Sequence, residues 1–428
     1  MTDAADRHDP ERVSSRHGPD RARRDRLRVF LGAFGDPGHA FPMLALGSRL
    51  AARGHEITFE TWRRWRENVE AEGMRFVAAP EYPVFPTRER PLKPYEAVVF
   101  ATAETRPAVR ESSPHVVVHD ILTLAPAMAA ELEDVPVATL IPHLHPACVP
   151  GAPPYALGAR LPRSAVGRSL WRAMERPVAA GLRRGRSELN ETRARLGLPP
   201  VDRLHGAISA ELCIVGAFPQ LEYPREWDES VQVVGPLMWE PPFHEVEPPR
   251  GRDPLVLIAP STAQDPGHRL MRAALLGLAD EPVRVLAATN RKPVARPVQV
   301  PANARLVDWI SYSRSMPGAA LVVSHAGHGT VARALASGCP VLAVPHSGDM
   351  GENAARIDWA GVGVRLPWRL LTPLTLRLAV RRALADPSLA RRARDLADWA
   401  AANDGASRAA DLVERLALRA RDGRERTR

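Results

Sequence analysis

Residues 321–353, LVVSHAGHGTVARALASGCPVLAVPHSGDMGEN, decide the fold. They read as a buried strand, a small-residue loop, a helix, a second buried strand and a polar loop. The apolar run Ala320-Leu321-Val322-Val323 stops at Ser324-His325. Gly327 and Gly329 then bracket His328, and Thr330 opens a helix that runs to about Ser337. A strand that delivers a Gly-rich turn onto a helix N-terminus makes an anion site. The first N–H groups of the helix lack internal partners, the macrodipole adds positive potential, and glycine lets a phosphate approach the backbone. The pattern points to a phosphorylated ligand. Taken locally, the same glycines also serve to tighten a strand-to-helix turn.

The pattern extends in both directions. Strands are predicted at 254–261, 283–290, 304–310, 320–325, 340–345 and 361–366, with helices following to about 418. The N-terminal half repeats the theme, with strands at 27–34, 56–61, 74–79, 115–120 and 135–142. Helices are expected at 41–53, 62–72, 95–111 and 123–133. Apolar β-branched runs separated by helices imply parallel sheets covered on both faces. The expected fold is α/β, with two doubly wound Rossmann-like domains facing across a cleft.

The expected boundaries are a disordered segment 1–26, an N-terminal domain 27–235, a linker 236–253 and a C-terminal domain 254–400. A final helix with a basic tail, 401–428, is expected to pack back on the N-terminal domain. Residues 236–253 contain five prolines, the strongest linker signature in the chain. Residues 143–200 are rich in Pro and Arg, with helical pieces expected near 166–176 and 178–195. Such an insertion suits the wall of a ligand cleft, since ligands sit outside the carboxyl ends of the strands.

Charge excludes some functions. The net charge is +9, but residues 1–28 hold eight arginines against six acids and residues 415–428 six against two. Most of the excess therefore lies at the two ends, and no basic stripe interleaved with aromatics offers a nucleic-acid footprint. Lysine occurs only at Lys93 and Lys292. Cys148, Cys213 and Cys339 are widely spaced, so they form neither a disulfide framework nor a zinc motif, and a reducing cytoplasm fits. The charged first 26 residues are no signal peptide, and no apolar stretch approaches membrane-spanning length.

Three blocks together resemble a family. They are GDPGHAFPMLALGSRLAARGHEITF (35–59), VVVHDILTLAPAMAAELEDVPVATL (116–140) and DWISYSRSMPGAALVVSHAGHGTVARALASGCPVLAVPHSGDMGENAARI (308–357). Their order and spacing are similar to the inverting nucleotide-sugar glycosyltransferases of the GT-B fold, the UDP-glycosyltransferase superfamily. Bacterial natural-product, macrolide-type members are the nearest in character. The resemblance spans about 27–415.

His39 follows the first strand at the start of a helix, so its imidazole is expected at the carboxyl edge of the sheet. A neutral histidine there can take a proton from a hydroxyl, and a helix N-terminus disfavours the imidazolium. On position alone, a helix-capping or surface histidine reads as well. The resemblance implies the catalytic base. Asp120 ends the strand HVVVHD at the same edge, where a carboxylate would orient that ring. His119 should point to the opposite face.

In the C-terminal half, the resemblance implies that His325, Gly327, Gly329 and Thr330 contact the donor diphosphate. Ser261 and Thr262 would form a second phosphate contact. It also implies that Trp309 stacks on the base, that the backbone of Ile310 reads its edge, and that Asp349 binds sugar hydroxyls. Phe85, Leu144 and Trp171 are expected to line an acceptor site. Three departures stand out. Arg333 replaces a glutamate that would bind ribose hydroxyls, Met350 replaces a glutamine, and Ser311 replaces a proline. Arginine cannot accept hydrogen bonds, which points away from UDP-glucose and toward another sugar, such as a deoxysugar on dTDP.

The expected partners are therefore a nucleoside-diphosphate sugar and a small-molecule acceptor, with no metal and no cofactor. A homodimer is compatible with the sequence. The alternatives are a nucleotide-sugar epimerase, which needs a carboxylate set around the sugar, and a non-catalytic nucleotide-sugar-binding partner protein.

Overall fold

The computed structural model describes residues 26–80, 96–155, 157–242, 246–260, 265–294, 297–346 and 348–427, with side chains to 422. The N-terminal half runs β1 (Arg28–Gly32), α1 (Pro37–Ala52), β2 (Glu56–Thr61), α2 (Arg66–Ala71), β3 (Arg75–Ala78), α3 (Glu96–Ser112), β4 (Val116–Asp120), α4 (Ala125–Leu132), β5 (Val137–Ile141), α5 (Ala165–Arg195), β6 (Leu212–Val215) and β7 (Val231–Val233). The C-terminal half runs β8 (Leu255–Ala259), α6 (Arg269–Gly277), β9 (Arg284–Ala288), β10 (Ala304–Val307), α7 (Tyr312–Ser315), β11 (Leu321–Ser324), α8 (His328–Ala336), β12 (Val341–Ala343), α9 (Met350–Ala360), β13 (Gly363–Arg365), α10 (Pro373–Ala385), α11 (Pro387–Ala402) and α12 (Gly405–Thr427).

Two parallel sheets result, in the orders β3-β2-β1-β4-β5-β6-β7 and β10-β9-β8-β11-β12-β13. Every residue of β4, β5, β8 and β11 is buried, as a sheet covered on both faces by helices requires. The order reverses between β1 and β4 in one sheet and between β8 and β11 in the other. Ligands of open α/β sheets bind at such switch points, so the loops after these four strands are where a site is expected.

The two halves share a core. Ile141, Cys213 and Val215 of the first sheet lie in one buried cluster with Leu257, Val322 and Val341 of the second. The helix α12 returns to the N-terminal half, where Ala409, Ala410 and Val413 join Leu44 and Leu46 in a second cluster. Arg53 of the loop after α1 bonds Asp411 at 2.7 Å, and His55 lies 2.8 Å from Glu414.

Several expectations are corrected. The insertion helix α5 is one unbroken element of 31 residues across Pro177, where two pieces were expected. Proline removes one helical hydrogen bond. Its neighbours Ala173 and Pro177 are exposed, so water can take the freed carbonyl. The strands β6 and β7 were not anticipated. The helix after β11 begins at His328, two residues before Thr330, and α1 begins at Pro37, four before Phe41. Among the described residues no helix is long and apolar enough to cross a membrane. The segment 1–26 lies outside the described residues except for its last.

Candidate active site

At the first switch point, His39 sits in the opening turn of α1 and Asp120 ends β4. His39 Nδ1 lies 2.7 Å from Asp120 Oδ1. Asp120 is fully buried. Its Oδ2 accepts from Phe34 N at 2.8 Å and Thr123 Oγ1 at 3.1 Å, and its Oδ1 accepts from Leu122 N at 3.1 Å. Burial pushes the Asp120 pKa up, but the charge and hydrogen bond of His39 and the two backbone N–H groups outweigh it and hold the carboxyl below its usual range. An ionised carboxylate only accepts, so the neutral His39 ring carries its proton on Nδ1 and keeps Nε2 as an acceptor. His119 turns to the other face, as expected, with Nε2 2.7 Å from Thr139 Oγ1.

The helix N-terminus does not dominate the His39 titration, contrary to the sequence reading. Burial lowers its pKa, yet the Asp120 charge and hydrogen bond prevail and raise it above the ordinary value.

The turn from β11 into α8 borders the same cavity as His39 and is the candidate anion site. The turn from β11 to α8 is made by Ala326, at φ +63, and not by a glycine. Gly327 has φ −59, and a Cβ added at Gly327 or Gly329 would meet no atom within 4 Å. The glycines are thus demanded neither by the backbone conformation nor by protein neighbours, and they open onto empty space. No side chain caps α8, so its first-turn N–H groups are left for a ligand.

One cavity of about 320 Å³ joins the two halves. His39, Trp309, His325, Gly327, Gly329, Thr330 and Asp349 all line it. The guanidinium of Arg291 lies 5.2 Å over the Trp309 ring. Asp349 precedes α9, where Asn353 Nδ2 donates to it at 3.2 Å. Among the described residues no cluster of three or more His, Cys, Asp or Glu is placed to hold a metal ion.

Other expected site residues lie elsewhere. Leu144 is fully buried in the shared core and does not border the cavity. Trp171, on α5, does not border the cavity. Ile310 is buried, with 1 % exposure, and does not border the cavity. Ser261, Thr262 and Phe85 lie outside the described residues.

The sequence reading missed several cavity residues. His143 follows β5, its Nδ1 2.8 Å from Leu144 O and its ring centroid 6.1 Å from that of His39. His328 Nε2 donates across the halves to Gly216 O at 3.2 Å, and burial pushes its pKa down to about 4. Glu240 stands beside Arg333, 3.9 Å away, and accepts from the N–H groups of Tyr312 and Ser313 at 2.9 and 3.0 Å. A carboxylate therefore does stand at the wall where Arg333 replaces one, but it comes from the expected linker. Nothing local in the sequence pairs residue 240 with residue 333.

Residues 271–416 match the family described as erythromycin biosynthesis protein CIII-like, C-terminal domain. The chain is 29 % identical to 4'-demethylrebeccamycin synthase of Lentzea aerocolonigenes, over 91 % of this chain and 99 % of that protein. The structure of the calicheamicin glycosyltransferase superposes with a TM-score of 0.70 at 26 % identity, covering 91 % of this chain and 98 % of that one. The glycosyltransferase VinC, solved in complex with dTDP, superposes at 0.68 with 21 % identity, covering 92 % of this chain and all of that one. With its two parallel sheets, this chain is a glycosyltransferase with the GT-B fold, similar over most of its length to enzymes of natural-product and antibiotic biosynthesis.

Proposed function

We propose that this enzyme transfers a sugar from a nucleoside diphosphate to a hydroxyl of a small natural-product acceptor, with inversion at the anomeric carbon. The single observation that carries this reading is one cavity lined both by His39, which is paired with the buried Asp120, and by an uncapped helix N-terminus. His39 Nε2 takes the proton of the acceptor hydroxyl, and the oxygen attacks the anomeric carbon. The bond from that carbon to the diphosphate breaks, and the electron pair leaves with the nucleotide. Asp120 stabilises the imidazolium as it forms, and the proton then passes to solvent. The charge that grows on the diphosphate meets the N–H groups of residues 327–330 and His325. One displacement gives one inversion.

Trp309 offers a face for the base and Asp349 an acceptor for sugar hydroxyls. Arg333, Met350 and Ser311 favour a donor other than UDP-glucose. The dTDP bound by VinC makes a thymidine diphosphate sugar the first to test. The test is a thermal-shift panel of nucleoside diphosphates followed by turnover of His39→Ala. Ligand stabilisation by a nucleoside diphosphate and a loss of about 10²- to 10⁴-fold in kcat with nucleotide affinity kept are expected. Full turnover by His39→Ala would remove the base from the mechanism.

A further inference from the structure

The long insertion helix α5 carries a surface that the sugar-transfer chemistry leaves unused. Residues 160–187 hold eight arginines and a single acid, Glu175, a net +7 within a chain of +9. Outside this stretch and the two basic ends the chain is net acidic, so positive charge within the body is focused here. The C-terminal end of α5 is anchored. Leu189, Thr192 and Arg193 are buried, and Arg193 bonds Glu131 through both terminal nitrogens at 2.9 and 2.6 Å. The other end stands on the surface. From 165 to 177 only Gly167 and Trp171 are partly covered, and every other residue is exposed. This stretch is about 20 Å long.

Two ridges run along it. Val166, Leu170 and Met174 recur at intervals of four and are 80 %, 65 % and 41 % exposed. Arg168, Arg172 and Arg176 recur at the same interval on another side of the helix. None of the three has a carboxylate partner among the described residues. The half-covered Gly167, Trp171, Val178 and Leu182 share the side turned to the protein, which leaves both ridges open to solvent. Glu175 accepts from Gly151 N at 3.0 Å. That bond ties the exposed turns to the segment following the cavity residue His143.

An exposed apolar ridge beside charge marks an interaction surface, and the charge selects its occupant. A second copy of the chain would set arginine against arginine, because a twofold contact uses the same patch twice. A nucleic acid would leave the aliphatic ridge uncovered. Protein partners are gripped chiefly by Trp, Tyr and Arg anchors, and the one tryptophan of these turns is partly covered. A sheet of anionic lipid headgroups satisfies both ridges. The guanidinium groups reach phosphates while Val166, Leu170 and Met174 dip below them. We propose that the exposed turns of α5 form an interfacial helix that docks the enzyme on an anionic lipid surface. Among the described residues no helix is long and apolar enough to cross a membrane, so the attachment is peripheral.

The experiment is co-sedimentation of the full-length protein with vesicles of phosphatidylcholine alone, and of phosphatidylcholine and phosphatidylglycerol in equal parts. The wild type should bind the mixed vesicles and not the neutral ones, and added salt should weaken the binding. Arg168→Ala, Arg172→Ala and Arg176→Ala together should lower the partition coefficient about 100-fold, at about fivefold per arginine. Val166→Gln, Leu170→Gln and Met174→Gln together keep the charge and should lower it about tenfold or more. All six positions are exposed, and alanine and glutamine suit a helix, so both variants should keep the wild-type melting curve. Absence of wild-type binding overturns the proposal. So does undiminished binding by either variant, which would leave the attachment to the basic ends of the chain. A wild-type dimer in sedimentation velocity that the glutamine variant splits gives the face to a second copy and overturns it too. Binding is read without donor or acceptor, so the outcome is independent of the proposed transfer reaction.

Discussion

Arg356 and Glu222 are ion-paired at 3.5 Å although each side chain is only 4 % exposed. Arg356 comes from α9, directly after the cavity residue Asp349. Its Nε donates to Glu352 at 2.7 Å, its Nη1 to Leu221 O at 3.0 Å, and its guanidinium lies 3.4 Å over the Tyr223 ring. Glu222 also accepts from His145 N at 2.7 Å. The network thus ties the wall bearing Asp349 to the loop bearing His143. Removing one member leaves the others charged in a place without water. Arg356→Ala should cost about 3–5 kcal/mol in urea unfolding, the usual penalty for breaking a buried pair. Glu222 is also paired with Arg225 at 3.2 Å, so only replacing the whole set, as Arg356→Met and Arg225→Met with Glu222→Gln and Glu352→Gln, should recover most of it. A wild-type midpoint for Arg356→Ala would show that the network carries no weight.

Under the proposed mechanism, the His39–Asp120 pair sets the pH dependence. His39 acts only when neutral, so kcat/KM should rise with pH through its pKa. Asp120 raises that pKa, which places the acid limb above the ordinary histidine value of about 6.5. Asp120→Asn removes the charge and leaves burial to dominate. Its acid limb should move to lower pH, while kcat drops by orders of magnitude because the ring tautomer is no longer fixed. A limb that stays in place would separate His39 from the profile.

Gly329 distinguishes fold from ligand. A Cβ there meets no protein atom, and alanine favours a helix over glycine by up to about 1 kcal/mol. Gly329→Ala should melt at or above the wild-type temperature. Nucleotide affinity, measured by calorimetry, should fall in Gly329→Ala and further in Gly329→Val, as the side chain occupies the space a phosphate needs. Undiminished affinity in both would move the diphosphate away from this turn.

How much of this was legible in the sequence depends on how local the cause is. The buried runs of β1, β4, β8 and β11 announce themselves by composition, and their ends place His39, Asp120 and His325. The short β6, LCIV, and the three-residue edge strand β7 carry too little pattern to stand out. Pro177 suggests a break because proline usually ends a helix, but exposure around it removes the penalty. Leu144 misleads because it adjoins His143. The chain passes from the cavity wall to the core within one residue. Glu240 and Arg356 work through partners tens of residues away, and only the folded chain shows those pairings.

Glu60, at the end of β2, makes the last prediction. It is 1 % exposed, and Thr105 Oγ1 donates to it at 3.0 Å. Burial raises its pKa, the Thr105 bond opposes this and the Glu104 charge adds to it, so the carboxyl is pushed up to about 8. The folded value lies above the unfolded one. The unfolded chain therefore releases this proton first as pH rises, and stability declines between about pH 4.5 and 8. Glu60→Gln keeps a neutral group of the same shape and removes the proton linkage. Its melting temperature should match wild type near pH 4.5 and exceed it near pH 8, where the difference in unfolding free energy is on the order of a few kcal/mol. Parallel melting curves for the two proteins across that range would mean that Glu60 is ionised in the fold, and that another cation sustains it there.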